Sequence, residues 1–266
     1  MSFVDLLSKI IATKRLRIAE AKGVVPIEGI REGAIEVRRR AKRHALREAL
    51  NNGGGINIIA EFKRRSPSKG MIRENADPAK TAHSYQSGRA AAISVLTEED
   101  YFGGSLDDLR LVRSSVSIPI LRKDFVVDDY QAYESAAAGA DALLLIVAAL
   151  DGETLARLLR LTETELGMDA LVEVHTKEEM GRAVAVGAKL IGVNNRDLRT
   201  FEVSTETSAE LSRFAPSDAV LVSESGLNPD EVRKLQAFGF KGFLVGEALM
   251  RSADPERQLQ LFRDSV

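Results

Sequence analysis

Residues 170–194 read ALVEVHTKEEMGRAVAVGAKLIGVN, and this stretch decides the fold. It begins with a short apolar run, continues with a more polar segment of helical period, and ends with a second apolar run, Leu190–Asn194. Short runs that are apolar on both faces are typical of parallel strands, and consecutive parallel strands need a crossover helix between them. The stretch therefore predicts one strand–helix–strand unit.

The same alternation repeats along the chain from Ile56 onward. We predict eight strands, each followed by a helix-forming stretch: Ile56–Phe62, Ala91–Thr97, Ile118–Lys123, Ala142–Val147, Ala170–His175, Leu190–Asn194, Val220–Ser223 and Phe243–Val245. Eight near-equal units within roughly 200–250 residues favour an α/β fold of the closed (β/α)8 type, the TIM barrel. A doubly wound open sheet is the main alternative.

Helix-start signals agree with this frame. Ser105 precedes two aspartates in a capping-box-like start, and Asp77-Pro78 and Asn228-Pro229 each place proline in a first helical turn. Each signal comes soon after a predicted strand, where a crossover helix is expected to begin.

Two segments of helical period precede the first strand, Val4–Ala21 and Ile35–Leu50. The run Asn51–Gly55 then breaks the helix and leads into the first strand. We therefore expect a single domain, with an N-terminal helical extension and linker over residues 1–55 and a barrel over residues 56–266.

Composition excludes several classes of function. The 37 basic and 39 acidic residues give a formal net charge of −2, which would not concentrate nucleic acid or anionic membrane. The absence of cysteine excludes disulfides, thiolate nucleophiles and cysteine-ligated metals. No secretory or transit signal is apparent at the N-terminus, and the longest apolar stretch, Ala136–Leu150, is broken by Asp141. We expect a cytoplasmic protein with no membrane partner.

A basic run, Arg38–His44, is the one feature that hints at nucleic acid. Because no aromatic side chains accompany it and Glu32, Glu36 and Glu48 surround it, we favour a solvated helix face. We expect His44 and His83 to be exposed and inert. We expect His175 to sit at a loop edge, with a catalytic role as the lesser alternative.

The strand ends carry unusually polar residues. Glu61 and Lys63 share one side of the first strand, Lys123 shares its side with apolar Leu121 and Phe125, and Glu173 and Asn194 end later strands. For any one of these residues alone, an ion pair at the barrel rim is a sufficient explanation. Together they would be costly to desolvate unless a ligand or a reaction uses them, so we predict a catalytic site. Apolar neighbours are expected to lower the pKa of Lys123.

The last two predicted strands lead into glycine turns, Ser225-Gly226 and Gly246-Glu247. Glycine lets the backbone approach a ligand, and barrels of this type commonly bind phosphate after strands seven and eight. A tight turn is the alternative for either loop alone, but two such loops favour a phosphate site. The donor-rich loop Arg64–Gly70 favours a mobile binding flap over a plain solvent loop.

These residues resemble the indole-3-glycerol phosphate synthase family. The matching blocks are Ile59–Gly70, Ser94–Glu98, Tyr101–Ser105, Ile120–Phe125, Leu171–His175, Gly192–Leu198, Ser223–Gly226 and Phe243–Glu247. They run from the first predicted strand to the last in family order. The N-terminal extension also resembles the family's extra helices over the barrel mouth, although its basic run is less typical there.

The resemblance implies a carboxy-lyase of tryptophan biosynthesis that acts on 1-(2-carboxyphenylamino)-1-deoxyribulose 5-phosphate. By this resemblance Lys123 protonates the substrate ketone, Lys63 pairs with the substrate carboxylate, and Glu173 and Glu61 act in acid–base steps. Asn194 and Glu224 would hold sugar-derived hydroxyls.

The resemblance also suggests binding residues. Ser66, Phe125, Arg196, Leu198 and Glu224 are substrate-binding candidates, and Ser225, Gly226, Gly246 and Glu247 match the phosphate loops. At position 247 serine is also common in the family, so only the backbone N–H is carried over. We expect no metal and no cofactor, because the arylamine nitrogen supplies the electrons itself.

Three alternatives stay open at the level of sequence. A Schiff-base aldolase would use Lys123 or Lys63 as nucleophile, although its sixth strand would by analogy carry the lysine and here ends in Asn194. A related isomerase of the same pathway would not need so many charges against a carboxylate. A non-catalytic phosphate- or RNA-binding scaffold would use Arg38–Arg43. We expect a monomer, or at most a weakly associating dimer, that binds a phosphorylated small molecule and no nucleic acid.

Overall fold

The computed structural model describes residues 3–52, 55–197, 200 and 202–264. Eight parallel strands close into a barrel in which each strand pairs with its chain neighbours and the last strand pairs with the first. Closure confirms the TIM-barrel prediction and excludes the open sheet. The barrel strands are β1 (Asn57–Phe62), β2 (Ala92–Leu96), β3 (Ile120–Lys123), β4 (Ala142–Ile146), β5 (Asp169–Val174), β6 (Leu190–Asn194), β7 (Val220–Glu224) and β8 (Phe240–Val245).

The predicted strands agree with these bounds to within three residues. The largest difference is at β8, which begins at Phe240 rather than Phe243. Lys241 and Gly242 interrupt the apolar run there, and the pairing with β7 shifts register between Phe240 and Gly242. An irregular strand end of this kind does not show in an apolar pattern.

Helices alternate with the strands and precede them at the N-terminus. Their bounds are α1 (Phe3–Val24), α2 (Ile27–Arg40), α3 (Ala45–Asn52), α4 (Pro78–Ser87), α5 (Leu106–Ser115), α6 (Asp129–Ala137), α7 (Gly152–Arg160), α8 (Lys177–Ala185), α9 (Glu206–Leu211), α10 (Pro229–Gln236), α11 (Glu247–Arg251) and α12 (Pro255–Arg263). The predicted starts are confirmed, because Asp77, Ser105 and Asn228 each accept a hydrogen bond from a backbone N–H three residues ahead. None of the helices in the described part of the chain has the length and hydropathy that a membrane crossing requires.

Strand alternation divides the core into two shells. Ile58, Ala60 and Phe62 of β1 face outward into the layer between strands and helices, whereas Ile59 faces the barrel interior. Every residue of β1 is buried, because the helices cover its outer face and the other strands cover its inner face. The same alternation sets which side chain of each strand end reaches the mouth.

The N-terminal extension contacts both ends of the barrel. Leu6 and Ile10 of α1 pack with Phe125 and other residues at the carboxyl-end mouth, and α2 packs along α6. Leu46 and Leu50 of α3 pack into the opposite end, the barrel floor. The extension therefore covers the mouth only with its first helix, and its third helix closes the floor.

The basic run belongs to this floor. Arg38 is buried and donates hydrogen bonds to the carbonyl oxygens of Ala140, Leu166 and Gly167, and His44 lies 3.3 Å from the carboxylate of Asp169. The interpretation as a solvated helix face is wrong for Arg38, and His44 is half-buried rather than exposed. Arg38 fastens the extension to buried carbonyl oxygens that need partners, and His44 lies against a buried carboxylate.

Candidate active site

The charged residues of the site converge because they occupy inward positions at the carboxyl ends of their strands. Glu61 follows inward Ile59 by two residues, Glu173 follows Leu171, and Glu224 follows Val222. Neighbouring strands are in register, so Asn194 lies directly beside Glu224. Because side chains alternate with a period of two, the inward positions are apolar in the barrel interior and polar at its mouth.

Lys123, the last residue of β3, lies at the centre of this mouth. Its Nζ is 3.3 Å from Oε2 of Glu173 and also contacts Oε2 of Glu224. Burial alone lowers the pKa of a lysine, but the charges of Glu224, Glu173 and Glu61 outweigh it, and the pKa of Lys123 is raised. The expectation of a lowered pKa is wrong, because it considered the apolar neighbours in sequence and not the carboxylates on opposite strands.

Glu224, the last residue of β7, has a raised pKa. Burial, with the charges of Glu173 and Glu61, raises the pKa of Glu224 to about 7 even though Lys123 opposes the shift. Its Oε1 atom is buried and has no hydrogen-bond partner among the described residues. A Cβ atom at Gly192 would collide with that oxygen, so glycine makes room for the side chain. Glu224 therefore keeps one oxygen available for a donor.

Glu173 has the opposite shift. Burial alone raises the pKa of Glu173, but Lys123 and His175 outweigh it and lower the pKa below its usual range. His175 lies in the short connection between β5 and α8, the loop edge expected for it, and its side chain, only 6% exposed, sits between Glu173 and Glu179. Burial lowers the pKa of His175, yet these two carboxylates raise it to about 9.

Glu61 and Lys63 form an ion pair at the end of β1. A Cβ atom at Gly246 would collide with Glu61 and lie 3.0 Å from Nζ of Lys63. Glycine after β8 therefore lets the backbone run against this pair without displacing it.

The turn after β7 is built on strained backbone. Ser225 and Gly226 both have positive φ, +71° and +72°, which is uncommon for a serine. Oδ1 of Asn194 accepts a hydrogen bond from Oγ of Ser225 at 2.9 Å, and Nδ2 of Asn195 donates to the Ser225 carbonyl at 3.1 Å. Two asparagines of the neighbouring strand end thus hold the turn in place.

These groups line one cavity of about 480 Å³. Every predicted site residue that the structure describes lines it: Glu61, Lys63, Ser66, Lys123, Phe125, Glu173, Asn194, Arg196, Glu224, Ser225, Gly226, Gly246 and Glu247. Leu198 lies outside the described residues. The cavity is also lined by residues that sequence reasoning missed, among them Leu7, Leu96, Phe102, Leu144, Ile146 and Arg251.

The missed residues form mainly an apolar wall. The rings of Phe102 and Phe125 lie with centroids 6.2 Å apart and are tilted by 42°. Phe102 falls within the Tyr101–Ser105 block, so a sequence signal existed for it. Leu7 sits on α1, whose contact with the mouth no local pattern indicates.

A buried ion-pair network fastens α1 over the mouth. Nζ of Lys14 lies 2.9 Å from Oδ1 of Asp124 and 2.8 Å from Oε2 of Glu99. Burial alone raises the pKa of Asp124, but Lys14 and Arg122 lower it to about 2. This carboxylate is therefore an anchor next to Lys123 and stays ionised at working pH.

The predicted binding loop after β1 contains a two-residue hairpin, Arg65–Ser66 with Gly70–Met71. Arg64 at its base forms a two-pronged ion pair with Asp108, at 2.5 and 2.8 Å. The base of the loop is thus fixed to α5, while Ser66 reaches the cavity. Among the described residues, no group of three or more histidine, aspartate or glutamate side chains is arranged to hold a metal ion.

Comparison with known proteins identifies the family. A family model described as indole-3-glycerol phosphate synthase matches residues 7–262. Proteins of that name from Carboxydothermus hydrogenoformans and Bacteroides thetaiotaomicron are each 45% identical to this chain; the alignments cover 96% and 98% of this chain and 98% and 99% of the relatives. One from Nocardioides is 48% identical, over 95% of this chain and 96% of the relative.

Structural comparison finds the same fold in a more distant protein. A thiamine phosphate pyrophosphorylase from Pyrococcus furiosus superposes with a TM-score of 0.60 at 16% identity, covering 79% of this chain and 95% of that one. At this identity the likeness concerns the barrel and not the chemistry.

Proposed function

This chain belongs to the indole-3-glycerol phosphate synthase family, and from that premise we propose that the cavity at the carboxyl ends of its strands is where it performs the family's reaction. The enzyme is a carboxy-lyase of tryptophan biosynthesis. It closes the ring of 1-(2-carboxyphenylamino)-1-deoxyribulose 5-phosphate, then removes carbon dioxide and water to give indole-3-glycerol phosphate. The observation that carries the proposed site is the meeting of Lys123 with carboxylates of β5 and β7 in one cavity.

The phosphate binds, in this proposal, at the two glycine turns. Gly226 and Gly246 bring main chain to the cavity without a Cβ atom, and Ser225 adds a hydroxyl. Arg196 lines the same cavity and supplies positive charge to the dianion. For Glu247 only the backbone N–H takes part, because its carboxylate lies 3.0 Å from the Arg251 guanidinium.

The aromatic ring of the substrate occupies the apolar wall. Phe102 and Phe125 offer ring faces, and Leu96 and Ile146 complete the surface. Lys63 lines the cavity and pairs with the substrate carboxylate. Holding the ring at one end and the phosphate at the other brings the ring carbon and the ketone together, which removes much of the entropic barrier to closure.

Lys123 then acts as the general acid of ring closure. The ring carbon that bears the carboxylate attacks the ketone carbon, and electrons released by the arylamine nitrogen form the new carbon–carbon bond. The ketone oxygen takes a proton from Nζ of Lys123. The ammonium form is secured at neutral pH by its carboxylate neighbours, so the proton is available when the oxygen arrives.

The later steps use the carboxylates. Loss of carbon dioxide returns its bonding electrons to the ring and neutralises the positively charged nitrogen, which Glu173 and Glu61 stabilise until then. Departure of water from the former ketone carbon then needs a proton on the hydroxyl, for which Lys63 is the candidate acid, and a base to remove the adjacent proton. The sugar-derived hydroxyls donate to Glu224, whose Oε1 has no partner among the described residues, and to Asn194.

One assay tests this proposal against the aldolase alternative. The purified protein is mixed with the carboxyphenylamino-deoxyribulose phosphate, and indole fluorescence is followed. We expect product to form, and we expect borohydride to trap no covalent adduct between the substrate and a lysine. An adduct on Lys123 or Lys63 would instead support a Schiff base and overturn the general-acid role.

We further propose that the enzyme works in the cytoplasm as a monomer, or at most a weak dimer, and does not bind nucleic acid. The net charge of −2 supports the last point. Sedimentation across a hundredfold range of concentration and an RNA gel shift at low salt test the assembly state and the nucleic-acid prediction.

A further inference from the structure

His175 does not line the cavity, yet its Nε2 lies 3.3 Å from Oε1 of Glu173, which does. We propose that His175 is a positioning residue for Glu173: held as an imidazolium by Glu179, it takes one oxygen of Glu173 and leaves the other facing Lys123. This inference rests on the proposed role of Glu173. It adds that the reaction depends on His175, which contacts Glu173 from outside the cavity.

The start of α8 places the outer carboxylate. Thr176 caps this helix and accepts a hydrogen bond from the backbone N–H of Glu179 at 3.2 Å. The carboxylate of Glu179 turns back and accepts from the backbone N–H of His175 at 2.7 Å, while its Oε2 also lies 3.1 Å from Nδ1 of the imidazole. Two contacts from one carboxylate set the orientation of the ring.

The two oxygens of Glu173 are then divided between two cations. Oε1 lies 3.3 Å from Nε2 of His175, and Oε2 lies 3.3 Å from Nζ of Lys123. Nε2 has no hydrogen-bond partner among the described residues, so its contact with Glu173 is an ion pair without hydrogen-bond alignment. No other described group forms a hydrogen bond with that nitrogen.

Few charged groups among the described residues face His175 and Glu173. The carboxylates of Glu173 and Glu179 face His175, from β5 and α8. Lys123 of β3 and the amide of Asn194 on β6 also face Glu173, and Glu224 of β7 shares Lys123 with it. Since Glu224 competes for Lys123, a second cation on Glu173 keeps that carboxylate ionised whether or not Lys123 turns toward the substrate.

The first experiment observes His175 directly and needs no turnover. Imidazole C–H resonances of the full-length protein are followed by NMR from pH 5 to 10 and assigned with His175→Asn. We expect the His175 resonance to titrate near pH 9, and Glu179→Gln to move it at least one pH unit lower. Titration near 6.5 in the unsubstituted protein, or no response to Glu179→Gln, would overturn the proposal.

The second experiment measures kcat and KM from pH 3 to pH 8, because the pKa of Glu173 lies below its usual range and its acid limb falls below pH 5. In His175→Asn we expect the acid limb of the kcat profile to move at least one pH unit upward, which lowers kcat about tenfold on that limb, with KM changed less than twofold. His175→Gln, which keeps an N–H donor but no charge, is expected to show the same shift. Glu179→Gln is the second variant should His175→Asn fold poorly, with a smaller shift in the same direction. The exposed His83→Asn is the matched control and leaves the profile unchanged.

The outcomes distinguish a failure of the role proposed for Glu173 from a failure of the role proposed for His175. If Glu173→Gln keeps wild-type kcat, the proposed role of Glu173 fails, whatever His175 does. If Glu173→Gln is impaired while His175→Asn and Glu179→Gln both keep the wild-type pH profile, the role of Glu173 stands and the positioning role of His175 is wrong.

Discussion

The two ends of β5 carry buried carboxylates in opposite surroundings. Asp169, at the floor, accepts a hydrogen bond from the backbone N–H of Arg47 at 2.9 Å and lies 3.3 Å from His44. Glu173, at the mouth, lies between the side chains of Lys123 and His175. Burial raises the pKa of Asp169 despite its partners, whereas the cations at the mouth overcome burial and lower that of Glu173.

This difference shows that a shifted pKa does not by itself mark an active site. Asp169 is fully buried against α3, so its partners cannot be exchanged for a substrate. Glu173 and Lys123 line an open cavity, and their ion pair can be replaced by contacts to a ligand. A buried carboxylate can act in catalysis only where a substrate can replace its partners. The predictions below test that distinction.

The largest effect is expected at the mouth, from Lys123→Met. Removing the proposed general acid is expected to lower kcat/KM on the order of 10³-fold with a native circular dichroism spectrum, because the barrel interior below Lys123 is apolar. The exposed helix residue Lys80, changed to Met, serves as control. A Lys123→Met variant that retains a tenth of wild-type kcat/KM would remove the assigned role.

Glu173→Gln keeps the shape of the side chain and removes its charge. We expect kcat to fall on the order of 10²-fold while KM changes less than about threefold, because the charge is needed as positive charge develops on the substrate. Steady-state kinetics separate the two parameters. A large rise in KM with unchanged kcat would show that Glu173 binds the ground state instead.

The pH dependence of stability should distinguish the two ends. The folded pKa of His175, about 9, lies above the ordinary value of 6.5, so its stabilising contribution is complete below pH 6.5 and is lost as the pH rises to 9. The lost contribution is on the order of 3 kcal/mol. Urea unfolding at pH 6 and pH 9 measures it, and His175→Asn should abolish most of that difference whereas Asp169→Asn should retain it.

At the floor, Asp169→Asn should affect stability and not catalysis. The amide oxygen still accepts from the backbone N–H of Arg47, but the amide NH2 group then faces the Arg47 guanidinium, which lies 3.5 Å from the carboxylate of Asp169. Two donors then meet in a buried site, so we expect the free energy of unfolding to fall by about 1–2 kcal/mol, although the raised pKa of Asp169 shows that its charge alone does not stabilise the fold. Urea denaturation and kcat at 25 °C test both halves. A tenfold loss of kcat with unchanged stability would contradict the structural role.

The smallest effect is expected from Lys14→Met, in the anchor between α1 and the mouth. Asp124 keeps Arg122 and Thr97 as partners, so we expect a loss of about 1 kcal/mol in stability. KM should rise a few-fold, since α1 supplies Leu7 to the cavity. Stability lost without any change in KM would show that α1 stabilises the barrel but does not shape the site.

The sequence predicted the strands and the inward residues well because both follow from one local rule, the period of two in a buried strand. Glu61, Lys123, Glu173 and Asn194 stood at strand ends, so closing the barrel was enough to bring them together. Position 175 shows the limit of this rule. It shares a face with Glu173, and the capping-box spacing of Thr176 and Glu179 was a local signal that Glu179 turns back from α8, but no local pattern placed the His175 ring between Glu179 and Glu173.

By itself, the amino-acid sequence determined the barrel, the strand ends that carry the candidate site and the family, because strand periodicity and local blocks are encoded in neighbouring residues. Only the tertiary structure decided the charge states of the site, since these depend on groups 50 to 101 positions apart that approach Lys123. The same holds for the extension. Helical period predicted two segments where the described residues form three helices, because the second segment is interrupted between Arg40 and Ala45. Which helix covers the mouth and which closes the floor was decided by the partners that buried Asp124 and Asp169 require.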